Sequence, residues 1–196
     1  MHPVIAGSAT EAGAATKKKR RGLFQRHAGR TGLWLAALVL AACSAQKPAD
    51  QTRSFRSPGA DIWSAAAFSP AGIAGGWHQV AGFSEGGGQG CRAGAAEFTQ
   101  NGAAGLNIRA RLCLNGREVS VSGPVTPVGP GRLSVPGMGD WWVIWVDSGY
   151  RTLAIATPDG SFGFVLDRGQ IPRDRLRAAA EIFDFNGYRR DMLLPF

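Results

Sequence analysis

The sequence predicts an all-β domain: an eight-stranded antiparallel up-and-down β-barrel with one C-terminal α-helix packed outside. Three observations lead there. Gly and Pro are plentiful, 28 and 11 of 196 residues, which favours short elements joined by tight turns. Asn101-Gly102, Asn115-Gly116 and Asp159-Gly160 are the pairs that two-residue hairpin turns prefer, because such turns place both central residues at positive φ. Between turns, apolar and polar residues alternate. Leu106, Ile108, Ala110 and Leu112 share one face, while Asn107, Arg109 and Arg111 share the other; Val119 and Val121 alternate with Glu118 and Ser120.

The strand candidates are 76–84, 93–100, 105–114, 117–123, 131–136, 141–147, 151–157 and 161–167. Their regular spacing and mostly meandering order argue for a closed barrel. Such a barrel either fills with its own side chains or holds one small ligand; the sequence leaves both open. One helix follows. Pro172 suits its first turn, Leu176, Ala179, Ala180 and Phe183 recur at helical spacing, and Gly187 stops it. Its apolar stripe needs an outer barrel surface, for which Trp142, Ile144, Leu153, Ile155 and Val165 are the candidates. Met192, Leu193 and Leu194 suit a short final strand.

The net charge of +8 is concentrated at the front. Seven of the 22 basic residues precede Leu33, against one acid, Glu11; from Cys43 onward 15 basic residues face 13 acidic ones. The basic run Lys17–Arg21 therefore reads as a targeting signal rather than a nucleic-acid surface, and no nucleic-acid partner is expected. The apolar run Leu33–Ala42 is too short for a membrane-spanning helix and fits a secretory signal. Leu40-Ala41-Ala42-Cys43 resembles the bacterial lipobox, which implies a diacylglycerol on the Cys43 thiol and cleavage before it. Ser44 after the lipidated residue resembles the outer-membrane sorting pattern, so the expected location is the outer membrane, lipid-anchored and facing the periplasm. Two or more acyl chains anchor stably. The expected organisation is a signal peptide over 1–42, a flexible tether over 43–69 and a barrel domain over 70–196. Trp63 and Phe68 are expected to pack the end of the tether on the barrel.

Three blocks carry a family resemblance. Gly75-Gly76-Trp77 opens the first strand, Asp147-Ser148-Gly149-Tyr150-Arg151 lies between the sixth and seventh, and Arg168 ends the eighth. Together they resemble the three motifs of the lipocalins, closest to the bacterial outer-membrane lipoprotein lipocalins. The resemblance implies that Trp77 and Arg168 close one barrel end by cation–π stacking and guanidinium-to-carbonyl bonds. It also implies a bound lipid or other small hydrophobic ligand, such as a fatty acid or lysophospholipid, stored or transported in the envelope. The sequence departs from the family pattern at Val146, where many members have Thr, and in the short, Gly-rich loop Glu85–Gly90.

Family register assigns the inward faces. The expected ligand-binding residues are Phe98, Leu106, Ile108, Ala110, Val121, Trp141, Val143, Trp145, Ala154, Phe162 and Phe164, with Leu112, Val119, Thr152 and Ala156 in the same rows. Such a lining suits an acyl chain or a flat apolar molecule. The same residues would also fill the barrel. Trp141 and Trp145 are placed near the mouth.

Cys91 and Cys113 flank the Asn101-Gly102 turn almost equidistantly and share outward parity. Opposed residues on antiparallel strands are close enough to bridge, and the periplasm oxidises, so a disulfide is expected. His78 is the only His beyond the signal and reads as structural; Arg173, Arg175 and Arg177 read as a solvated helix face. No catalytic triad, metal-ligand cluster or phosphate loop is seen, so neither an enzyme, a cofactor nor a metal is expected. A thiol enzyme would need a cysteine facing the cavity. The alternative function is a protein-binding barrel of the envelope, such as a periplasmic protease inhibitor.

Overall fold

The computed structural model describes residues 53–102 and 105–196. The expected signal, Cys43 and the first part of the tether lie outside the described residues. A 3-10 turn at Pro70–Ile73 leads into β1 (Gly75–Phe83), followed by β2 (Ala95–Asn101), β3 (Gly105–Leu114), β4 (Arg117–Gly129), β5 (Arg132–Val135), β6 (Gly139–Val146), β7 (Thr152–Ala156) and β8 (Gly163–Asp167). Helix α1 (Arg173–Phe185), a second 3-10 turn (Arg190–Met192) and β9 (Leu193–Pro195) complete the chain. The sheet order is β2-β3-β4-β5-β6-β7-β8-β1-β9, and β1 also pairs with β2. All pairings are antiparallel, so β1 to β8 form a closed up-and-down barrel. The lower part of β1 bonds β2, and its upper part bonds β9 instead.

Turn chemistry explains the hairpins unevenly. Asn115 and Gly116 both have positive φ, 48° and 72°, as the β3–β4 turn requires. At Asp159-Gly160 only the glycine does, at 70°, so that connection is not the mirror-image turn the pair suggested. β4 runs six residues past its expected end at 123, through Pro124 and Pro127. Proline removes a ladder donor, but β5 pairs with β4 only from Thr126 onward, and the register shifts between Pro127 and Gly129. Pro124 therefore has β3 alone beside it among the described strands, which is where a strand tolerates proline.

Two apolar clusters result. The inner one includes Phe68, Ile73, Trp77, Phe98, Leu106, Ile108, Leu112, Trp141, Val143, Leu153, Ile155, Phe164 and Leu166. The outer one lies beneath α1 and includes Phe83, Ile144, Ala154, Ala156, Val165, Ala179, Phe183 and Tyr188. Gly163 makes the outer cluster possible. A Cβ there would lie 2.9 Å from both the Phe83 and Phe183 side chains. Those two rings sit 4.8 Å apart, edge to face.

Three expectations outside the barrel are corrected. Of the flexible tether expected over 43–69, the described part, 53–69, is laid against the barrel. Phe55 is fully buried in the outer cluster; its N–H bonds the Gly160 carbonyl, and its carbonyl accepts from Arg189 N–H. Phe68 packs inward as expected, but the Trp63 side chain is 60% exposed. Arg175 is not on a solvated face. Its guanidinium bonds the buried Asp167 carboxylate at 3.1 Å and the Thr152 hydroxyl at 3.0 Å, fastening α1 to the barrel wall.

Candidate ligand-binding interior

One end of the barrel is plugged. The 3-10 turn brings Ile73 across it, and the Trp77 indole N–H donates to the Ile73 carbonyl at 2.8 Å. Arg168 lies over the Trp77 ring, its guanidinium carbon 3.9 Å from the ring centroid. The same guanidinium donates to the carbonyls of Gly72, Ala74 and Gly76, at 3.3, 2.8 and 3.2 Å. Burial lowers the Arg168 pKa from its ordinary value, while Glu97 opposes the shift. Gly75 must be glycine here: its φ is +101°, and a Cβ would stand 2.8 Å from an Arg168 nitrogen.

The second block supports the same end. The Asp147 carboxylate accepts from the N–H groups of Arg151 and Thr152, at 2.6 and 2.7 Å, and from the Arg151 guanidinium. Burial alone would raise its pKa; these bonds outweigh it and hold the carboxyl below its ordinary value. The Tyr150 hydroxyl accepts from Ser69 N–H at 2.8 Å, tying the incoming chain to this corner.

The wall between the ends is apolar. The structure places Phe98, Leu106, Ile108, Ala110, Val121, Trp141, Val143, Phe162 and Phe164 in the inner cluster. It does not place Trp145 or Ala154 there. Both belong to the outer cluster, as does Ala156, and Leu153 and Ile155 point inward in their place. The causes are distinct. In β6 the register shifts between Val143 and Trp145, so one extra residue turns Trp145 outward. In β7 all five residues are buried, because α1 covers the outer face. Alternation of apolar and polar residues is then absent, and a one-residue slip exchanges the faces. Residue size was the available signal: Ala154 and Ala156 lie on the helix-covered face, where small residues admit a close helix. Leu133, Val135 and Leu166 also line the interior but were not singled out from the sequence.

Side chains fill much of this interior. Leu112, Trp141, Val143, Leu153, Ile155, Phe164 and Leu166 have no accessible surface at all. Neither end is fully covered. Away from Trp77, Phe162 keeps 9% exposure and Val119 and Met138 are only partly buried, as are Val146 and Tyr150 at the plugged end, where a groove of about 320 Å³ opens beside Ser69, Pro70 and Leu106. Trp141 meets Phe164 and Phe162 edge to face, with centroids 5.2 and 6.3 Å apart. The Trp141 indole N–H is buried and has no hydrogen-bond partner. Outside the barrel, grooves of about 330 and 350 Å³ open on the walls of β1 to β4, where Glu97 and Arg109 line both.

The Cys91–Cys113 disulfide forms, with Cα atoms 5.7 Å apart. Cys91 stands in the loop before β2 and Cys113 near the end of β3, so the bond ties that loop to the hairpin at the end away from Trp77. Gln79 seals the adjoining seam. Its side-chain amide accepts from the N–H groups of Gly94 and Cys113, at 3.2 and 2.8 Å, and donates to the Cys113 carbonyl at 2.7 Å. Among the described residues, no group of three or more His, Cys, Asp or Glu is placed to hold a metal ion.

By its own topology the chain is a closed antiparallel β-barrel protein with an apolar interior, one plugged end and one external helix. No family model matches it, and no curated protein matches it by sequence. Solved structures to which it is similar include lobster apocrustacyanin A1, at 13% identity over 64% of this chain and 77% of that one, with a TM-score of 0.47. Apocrustacyanin C2 gives 12% identity over 69% and 88%, with a TM-score of 0.48. The siderocalin Ex-FABP, described as having dual ligand specificities, gives 13% identity over 62% and 91%, with a TM-score of 0.49.

Proposed function

We propose that this chain is a lipocalin-type lipoprotein of the bacterial envelope whose barrel takes up a small apolar molecule at the end lined by Trp141, Phe162 and Met138. The observation that carries the reading is the inner wall: apolar side chains from β2, β3, β4, β6, β7 and β8 meet in one buried cluster inside a closed barrel. Each CH₂ of a guest transferred into such surroundings is worth about 0.8 kcal/mol. Because side chains already occupy the deeper interior, a guest must displace part of the aromatic end, which subtracts from that gain. A short chain or a flat molecule therefore fits better than a long acyl chain. Delipidated, refolded protein is expected to enhance the emission of a neutral apolar probe, N-phenyl-1-naphthylamine, with a saturable profile. A strictly linear response up to the solubility limit contradicts the reading.

The membrane half of the proposal rests on the order basic run, Leu33–Ala42, Cys43. Radiolabelled palmitate is expected in the wild-type chain and absent from Cys43→Ala. The close packing of the interior favours a second reading, in which the outer surface binds a protein. Trp63 and Phe185, 60% and 72% exposed, flank Asn186, whose side chain accepts from Trp63 N–H. A linear probe response together with an envelope protein retained by wild type but not by Trp63→Ala/Phe185→Ala selects this second reading.

A further inference from the structure

We propose that the Trp141 indole N–H is the polar anchor of the barrel site, so that its ligand is a neutral apolar molecule carrying a hydrogen-bond acceptor such as a ketone or ester oxygen. This rests on the reading that the barrel accepts a guest. Among the described residues only two buried side-chain nitrogen or oxygen atoms lack a partner, Trp141 Nε1 and Gln89 Oε1. The other polar handles of the large buried aromatics are satisfied. Trp77 donates to the Ile73 carbonyl, and the Tyr188 hydroxyl has partners at Thr157 and Phe162.

A buried donor left unpaired forfeits its hydration and receives nothing in exchange. A Phe at this position would fill the wall without that loss. The nearest groups are the Phe162 and Phe164 rings, met edge to face, and an aromatic face is a weak acceptor at best. A guest oxygen supplies what the wall does not. The charge of the guest follows from what is buried: among the described residues no Lys, Arg or His is buried, so an ionised carboxylate held beside Trp141 would be buried without a counter-charge. A neutral acceptor carries no such cost.

Phe162, edge to face with Trp141, lies in the turn between β7 and β8 and retains 9% exposure. Its carbonyl is held by the Tyr188 and Thr157 hydroxyls, at 2.9 and 3.1 Å. A guest approaching Trp141 from this side has to displace the Phe162 ring, which packs against Trp141 and Phe164 while its backbone carbonyl is held.

The test compares 2-heptanone with n-heptane as displacers of N-phenyl-1-naphthylamine. Trp141→Phe is expected to weaken 2-heptanone about tenfold, the scale of one hydrogen bond, and to leave heptane within about twofold. Equal effects on both, or none on the ketone, overturn the anchor while the guest-binding reading stands. If neither displaces the probe from the wild type, that reading falls and the anchor with it. Carbonyl-¹³C-labelled 2-heptanone adds a readout that needs no variant. Its infrared carbonyl band is expected to shift to lower frequency on binding wild type, as a hydrogen-bonded ketone does. A bound ketone with the band position seen in hydrocarbon solvent overturns the proposal.

Discussion

The two ends of the barrel each hold a fully buried tryptophan, and the chain treats them in opposite ways. At one end the Trp77 N–H has its carbonyl, the ring has Arg168 across its face, and the guanidinium bonds the backbone carbonyls of Gly72, Ala74, Gly76 and Tyr150. At the other end Trp141 has aromatic neighbours and no acceptor. Every donor satisfied is what a structural plug requires, because an unpaired buried group costs about 1–3 kcal/mol. A donor left open at the opposite end is a cost that the fold itself does not need. The difference teaches that one end is built for stability, and it is the ground on which we propose the other as a recognition end.

Several measurements break or sharpen that contrast. Trp77→Ala removes a large side chain, its hydrogen bond and its cation–π partner together. Urea unfolding is expected to show a loss of about 4 kcal/mol; a loss below about 1 kcal/mol would mean that the plug is ornamental. Removing both Cys91 and Cys113 by alanine substitution opens a loop spanning 22 residues of sequence separation. The expected loss is about 3 kcal/mol, with hydrogen exchange rising in residues 84–94 and not around Arg168. Exchange rising equally at both ends would dissolve the distinction between them.

Tyr188 gives a pH handle on the recognition end, since its hydroxyl holds the Phe162 backbone. Burial pushes its phenol up to about 12 from an ordinary 10.0. The folded chain therefore binds this proton more tightly than the unfolded chain does. That contribution is intact below pH 10 and is lost as pH rises from there through about 12. Wild type is expected to lose stability across that window, and Tyr188→Phe to lose less across it, from a baseline lower by about 1–2 kcal/mol. Parallel curves for the two proteins would contradict the assignment. The smallest effect is expected at Trp141→Phe without ligand: within about 0.5 kcal/mol of wild type, because the lost contacts are offset by removal of the unpaired donor. A loss comparable to that of Trp77→Ala would mean that Trp141 is structural after all.

The fold was readable because its turns and its alternating strands act locally. Asn115-Gly116 and the Leu106–Leu112 row specify a hairpin and its inward face with no knowledge of the rest of the chain. The site was readable only where one face of a strand meets water. β7 is buried on both sides, so its pattern carried no parity, and Ala154 was exchanged for its neighbours Leu153 and Ile155. The bulge that turns Trp145 outward depends on how β6 meets β7 and leaves no local mark. Phe55, a lone aromatic among polar and charged residues, gave no periodicity to read, and its partners, the Phe83 ring and the backbone of Gly160 and Arg189, lie far along the chain. The unpaired state of Trp141 is invisible by nature in a sequence, since it depends on what every neighbour fails to offer.

The most direct measurement of the two-ended barrel is a ¹H–¹⁵N titration that follows both indole N–H signals as 2-heptanone is added. The Trp141 signal is expected to move downfield and saturate as its donor gains an acceptor, while the Trp77 signal, already bonded to Ile73, stays in place. A stationary Trp141 signal at saturating ketone, or equal movement of both, would contradict the division of the barrel into a stability end and a recognition end.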